Sequence, residues 1–180
     1  MVSTFSGLFV NPLVMRVDEV DIRDIAHALA CCNRFAGHTT EPISVAQHSV
    51  YVSRLCSRAT ALQGLLHDAS EAYLHDVTNW VKETPQMAAY RAAEDRLQRV
   101  IMERFGCSPY LAPDVRSADK LMVRYEYQAG YGRAIGRPDY PPISEAERQL
   151  VEPWEPWPWR AAEAEFLRVF EELREERGAR

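Results

Sequence analysis

No stretch of the 180-residue sequence approaches 18 consecutive apolar residues, so no segment is expected to cross a membrane as a helix. The first residues also lack the basic-then-apolar order of a secretory leader, and a cytoplasmic protein is expected. Positive charge is in short supply: 21 Lys and Arg against 26 Asp and Glu leave a net charge of -5. That balance argues against a long DNA or RNA duplex as the partner, because duplex binding rests on a strong basic footprint. It is compatible with a small anionic substrate, since a bound metal brings positive charge where it is needed. The four cysteines, Cys31, Cys32, Cys56 and Cys107, form no CxxC pair and no regular spacing. A zinc ribbon needs two close pairs; these four are expected as reduced thiols in small buried apolar positions. There is no internal repeat at a period of 20–50 residues.

What is present is the makeup of an ordinary globular chain. An apolar share of 47% and a charged share of 26% exclude wholesale disorder, and the length suits one domain with a sizeable core. The periodicity predicts an all-α, single-domain helical bundle over residues 1–180, with its core at about 20–129. Residues 1–20 read as an extended arm or a short strand pair. A first helix begins after Asp21, with Ile22, Ile25, Ala26 and Leu29 at helical spacing. Residues 33–43 hold Gly37 and Pro42 and form a loop. Ser44 then N-caps a helix carrying Val45, His48, Val52 and Leu55 on one face. One helix is predicted over 59–74, a loop with a short helix over 77–84, and a long helix from Pro85 to Phe105 stopped by Gly106. Another runs from 114 to 129. Residues 130–160, rich in Gly, Pro and Trp, are expected to wrap over the helices, because tryptophan is costly to leave wet. A final amphipathic helix at 159–177 turns Phe166, Leu167, Phe170 and Leu173 inward.

The chemistry is concentrated in LLHDASEAYLHD, residues 65–76. His67, Asp68, Glu71, His75 and Asp76 sit among residues apolar enough to face a core, where charged groups are rare unless paired or bound to a metal. On a helix His67 and Glu71 lie one turn apart, and His67 and Asp68 splay by about 100°, so both can reach one ion at the helix edge. A metal site needs more than one helix. His48 on the preceding helix and Asp119 on a later one are the obvious further ligands. Two imidazoles and two carboxylates make a mixed N/O site with room for water and a phosphate oxygen.

The order His48 … His67-Asp68 … Asp119 resembles the H…HD…D signature of the HD-domain metal-dependent phosphohydrolase superfamily. Three stretches narrow the likeness to bacterial 5′-deoxynucleotidases and small phage-type HD hydrolases: RFAGHTTEPISVAQHS (34–49), LLHDASEAYLHDVTNWVK (65–82) and SADKL (117–121). The resemblance spans roughly residues 20–125 and assigns nothing to the tail. It implies one divalent ion (Mn, Co, Zn, Fe or Mg) on His48, His67, Asp68 and Asp119. It implies Glu71 orienting or deprotonating the attacking water, and Asp76 organising the nucleotide side. Arg34 and Phe35 would meet phosphate and sugar or base, and Lys82 would contact phosphate. Phe35 stands where those nucleotidases carry Trp, which leaves sugar and base selectivity open.

His38, in the loop beside the site, is a candidate substrate contact. His75 is a candidate for a second metal, and His27 reads as structural. The implied activity is phosphate release from (deoxy)nucleoside 5′-monophosphates. Its rival is attack on dNTPs (for example dATP) with release of triphosphate. The cations counted near the site, Arg34, Lys82, Lys120 and Arg124, favour the shorter phosphate slightly. A nucleotide-sensing HD module without catalysis, and cleavage of cyclic dinucleotides, are the remaining alternatives. The expected partner is a small nucleotide, with no long nucleic acid and no membrane. A homo-oligomer, dimer or higher, is expected from the relatives and the apolar seams of the long helices.

Overall fold

The computed structural model describes residues 1–131 and 140–178. It is an all-α bundle with one small hairpin, in which β1 (Val2–Ser3) pairs antiparallel with β2 (Phe9–Val10). His27 pins this arm to the bundle. Its ring stacks on Phe5 at 4.0 Å and its Nδ1 meets Glu163 at 3.3 Å, the structural role expected of it.

The first helices start where their caps dictate. Asp21 accepts the Arg23 N–H at the head of α1 (Ile22–Cys31), and Ser44 accepts the Gln47 N–H at the head of α2 (Val45–Leu55). Every residue of α2 from Val45 to Ser53 is buried, where a single apolar face had been expected. The reason is position: α2 packs against α1, α3 (Ala61–Leu65), α7 (Pro113–Gly130) and α9 (Trp159–Gly178) at once. One apolar cluster gathers Ile25, Leu29, Val50, Leu65, Ile101 and Phe166 on one side of α2. A second gathers Val52, Val115, Met122 and Tyr125 on the other. A helix walled on all sides is a rigid place for a polar side chain, and His48 is carried there.

The segment predicted as one helix over 59–74 is broken. The α3 helix ends at Leu65, α4 (Glu71–Leu74) starts six residues later, and residues 66–70 wind as turns between them. The tightened winding shows in i→i-3 hydrogen bonds from Ala69 to Leu66 and from Glu71 to Asp68. Gln98 of α6 (Ala88–Arg104) stabilises the break with both ends of its amide, donating to Leu66 O at 2.6 Å and accepting from Ser70 N at 2.9 Å. His67 and Asp68 therefore stand on a turn.

The short helix expected within 77–84 is α5 (Asn79–Lys82), and Gly106, at φ 64, follows α6 as its stop. Within the expected 130–160 wrap, residues 132–139 lie outside the described residues. A helix not anticipated there, α8 (Glu145–Val151), begins at a capping box made by Ser144 and Glu147. The Trp-rich stretch does wrap. The Gln47 amide accepts from Trp157 N at 2.9 Å and donates to Glu155 O at 2.7 Å, while Trp157 lies against Tyr51 and Trp154 against Tyr125. Only Cys32 among the cysteines is fully buried. Cys31 is exposed and the other two are half-buried, so uniformly buried thiols were too simple a reading. Among the described residues no helix is long and apolar enough to cross a membrane.

Candidate metal centre

Three separate pieces of chain bring four of the expected residues to one point. The α2 helix supplies His48, the α3–α4 turn supplies His67 and Asp68, and α7 supplies Asp119. The donor atoms of His48, His67 and Asp68 all lie within 4.8 Å of one another. The two Nε2 atoms are 3.3 Å apart. Asp68 Oδ2 is 3.1 Å from His67 Nε2 and 3.8 Å from His48 Nε2. Asp119 Oδ1 closes the cluster at 3.2 Å from His48 Nε2 and 3.7 Å from His67 Nε2.

The other ring nitrogens decide what this cluster needs. His67 Nδ1 is 2.8 Å from Gly64 O, a carbonyl that only accepts, so Nδ1 must carry the hydrogen. His48 Nδ1 faces both oxygens of Glu126 at 3.1 Å, again as donor to an acceptor. In neutral rings both Nε2 lone pairs then point at each other and at two carboxylates. Four acceptors converging without a donor repel, so positive charge must sit among them, as a proton or as a metal ion. Among His48, His67 and Asp68 the donor–donor separations of 3.1–3.8 Å are those that ligand bonds of roughly 2.0–2.2 Å produce around a single ion. This buried His/His/Asp cluster could hold a divalent metal.

The electrostatics agree in direction. Burial works against charge on His67, but Asp68 and Asp119 outweigh it and hold the imidazole well above its usual pKa. Burial lifts the Asp68 carboxyl, yet His67 and His48 bring it down to about 2. Asp119 is likewise held far below the ordinary range against burial, by hydrogen bonds to both imidazoles.

Glu126 was not singled out in the sequence. It is fully buried and joins two groups, accepting from Arg34 Nε at 2.8 Å and from His48 Nδ1. A carboxylate behind a ligating imidazole fixes its tautomer and raises its basicity. The available signal was spacing, since Glu126 lies seven residues after Asp119 on the same helix and so on the same side. Arg34 stands between the two acids, with Nη1 3.7 Å from Asp68 Oδ2. Burial opposes its charge, but Glu126, Asp68 and Asp119 raise its pKa further.

Glu71 opens α4 and is buried beside the cluster. One oxygen, Oε1, lies 3.5 Å from Lys82 Nζ, and the other, Oε2, is buried with no partner. Burial first, then Asp68 and Asp76, push its carboxyl up to about 9 against the pull of Lys82 and Arg34. Lys82 itself is tied to Glu94 Oε1 at 2.6 Å. Asp76 is half-buried, and burial raises its pKa too.

A cavity of about 480 Å³ runs from these acids outward. Asp68, Glu71, Asp76 and Asp119 line its inner end, while Arg34, Phe35, His38 and Lys82 also face it. His75 is outside that lining and instead meets Cys32 Sγ at 3.6 Å. Of the other cations expected nearby, Lys120 and Arg124 do not line the cavity, and Arg124 pairs with Glu147 of α8 at 3.0 Å.

No family model matches the chain. It is 36% identical over 125 residues, 69% of either chain, to the uncharacterized protein YfdR of Escherichia coli. It is 36% identical over 141 residues to the uncharacterized protein RCAP_rcc00048 of Rhodobacter capsulatus, covering 67% of this chain and 71% of the relative. At that identity and coverage the chain belongs to the protein family of YfdR.

Proposed function

We propose that this protein is an HD-type metal-dependent phosphohydrolase that releases phosphate from (deoxy)nucleoside 5′-monophosphates. One observation carries the reading: two imidazoles, committed at Nδ1, face each other through Nε2 at 3.3 Å beside two carboxylates. The resemblance of His48 … His67-Asp68 … Asp119 to the HD signature supports it. These four residues would hold the ion, and their mixed N/O set suits Mn, Co, Fe or Zn better than Mg. A divalent ion there supplies Lewis acidity toward a phosphoryl oxygen and makes water more acidic.

The protein's own groups do the rest. Glu71, whose carboxyl a divalent cation beside it would help to ionise, offers Oε2 to the proton of the attacking water while Lys82 steadies Oε1. As the new P–O bond forms and the bond to the 5′-oxygen breaks, that proton can pass to the departing oxygen. Arg34, fixed by Glu126, offsets charge on the phosphoryl oxygens. Asp76 and His38 line the same cavity and would help to hold the nucleoside in place. The scheme has no covalent intermediate.

A second reading has one observation in its favour. A neighbouring cleft of about 410 Å³ also reaches His67, Asp68, Glu71 and Lys82, and Arg99 and Arg116 line it. A triphosphate chain could use those cations. Glu94 and Asp95 line the same cleft and offset them, which keeps the monophosphate first. The test is a panel of dNMPs and dNTPs with Mn, Co or Mg, with product analysis. Orthophosphate from dNMPs is expected; triphosphate from dNTPs would replace the first reading by the second. Asp68→Ala should lose both bound metal, by elemental analysis, and turnover. Nucleotide binding without turnover under any of these metals would leave only a sensor.

A further inference from the structure

The outer half of the cavity is aromatic. Phe35 lies 6.2 Å from Tyr127 and 6.1 Å from Tyr131, ring to ring, and Tyr127 lies 5.0 Å from Tyr131 and 5.3 Å from Tyr140. All four line the same cavity as Asp68 and Asp119. The α7 helix builds this continuity. Asp119, Val123 and Tyr127 follow one another at four-residue steps, Tyr131 comes four later at the helix end, and each faces the cavity. The rise from Asp119 to Tyr127 is about 12 Å, comparable to the reach of a nucleotide from its phosphate to its base. Arg34 links the two ends. Its guanidinium contacts Asp68 on one side and lies 5.5 Å over the Phe35 ring on the other.

Phe35 is held there at a conformational cost. It has φ 55 and Ala36 has φ 51, in the left-handed region that L residues seldom adopt. Arg34 N–H bonded to Ile43 O and Arg34 Nε bonded to Glu126 fix the preceding residue, and the strained step turns the ring toward the tyrosines. Strain of this kind persists where surrounding contacts over-determine it, as around ligands.

We propose that Phe35, Tyr127 and Tyr131 form a base-stacking subsite, so that the site selects phosphoesters carrying a planar aromatic base and favours the larger purines. The proposal rests on the nucleotide reading above and names three specificity-determining residues within it. Three clustered rings in front of a phosphate-binding end offer π-faces and edges to any base, and stacking on such rings changes affinity by about tenfold or more per base.

The test separates stacking from hydrolysis. The 5′-monophosphate of 2-aminopurine deoxyriboside is titrated with the metal-free protein, since stacking quenches its fluorescence, and turnover is compared on dAMP and on 2-deoxyribose 5-phosphate. Wild type should quench the probe and prefer dAMP. Tyr131→Leu and Phe35→Leu, which keep apolar bulk, should lose the quench and lose about tenfold in kcat/KM on dAMP alone; Tyr131→Phe should keep both. Equal losses on the two substrates, or a quench indifferent to all three variants, would overturn the subsite. Wild type that quenches the probe yet hydrolyses nothing would support the subsite and sink the hydrolase. Hydrolysis of dAMP without any quench would do the reverse.

Discussion

Glu126 shows how one buried side chain sets the state of another. It has no exposure, and its two oxygens serve the Arg34 guanidinium and the His48 imidazole together. Glu126→Gln keeps the shape but removes the charge that makes His48 a better electron-pair donor. Metal affinity should drop about 10–100-fold with little loss of fold, measured by competition with a chromogenic chelator. Unchanged affinity would mean that Glu126 serves Arg34 alone. Glu126→Ala should be harsher, destabilising by about 3–5 kcal/mol, because it strands a buried guanidinium. Glu71 gives a signed pH effect. Its folded pKa is raised to about 9 by burial, Asp68 and Asp76, with Lys82 and Arg34 opposing. The unfolded chain releases that proton near the ordinary value of 4.5. Its contribution is therefore fully present below about pH 4.5 and fades as pH rises toward 9. Metal-free Glu71→Gln should melt with wild type near pH 4.5 and above it at pH 8. A difference that stays flat across this range would refute the shift.

Elements decide how the four site residues meet, and here the sequence was readable in part. Caps at Asp21 and Ser44 and the stop at Gly106 are local chemistry, so α1, α2 and α6 stood where their sequence signals put them. The break between α3 and α4 was not legible, because its cause is Gln98, twenty-eight residues from Ser70 and visible only once α6 packs against the turn. His67 and Asp68 could be picked out because charge is conspicuous in an apolar run, and His48 and Asp119 because their order and spacing complete the H…HD…D pattern. Glu126 sat in RYEYQ beside tyrosines and arginine, where a carboxylate draws no notice. The α8 helix was a different miss: its Ser144–Glu147 capping box was in view, masked by the surrounding prolines. Gly64 links helix packing to the site. A Cβ there would lie 2.9 Å from Cys56 Sγ and 3.2 Å from Ser53 Cα on α2, and the Gly64 carbonyl holds His67 Nδ1. Gly64→Ala gains about 1 kcal/mol of helix propensity but meets backbone that overpacking displaces at about 1–3 kcal/mol. A lower melting temperature and weaker metal binding are expected together. A variant as stable as wild type would show that α3 can shift from α2 freely.

For the whole molecule the cluster would act as a cross-brace once an ion is bound. Its members come from α2, from the turn after α3 and from α7, and α7 belongs to the second apolar cluster while the turn belongs to the first. An ion bound by all three joins the two halves of the core, and it binds the unfolded chain poorly because the ligands are up to 71 residues apart (119 minus 48). Free metal at about a hundred times its dissociation constant should add about 2.7 kcal/mol, a rise of roughly 5–10 °C in Tm for a chain of this size. That gain must depend on pH. Burial opposes a proton on His67, yet Asp68 and Asp119 retain it well above the usual value, so the metal has to displace protons to bind. The metal-induced rise in Tm should therefore be small at pH 5 and grow toward pH 8, and His48→Ala should abolish it at both. An equal rise at the two pH values would place the ion away from the imidazoles, on carboxylates alone.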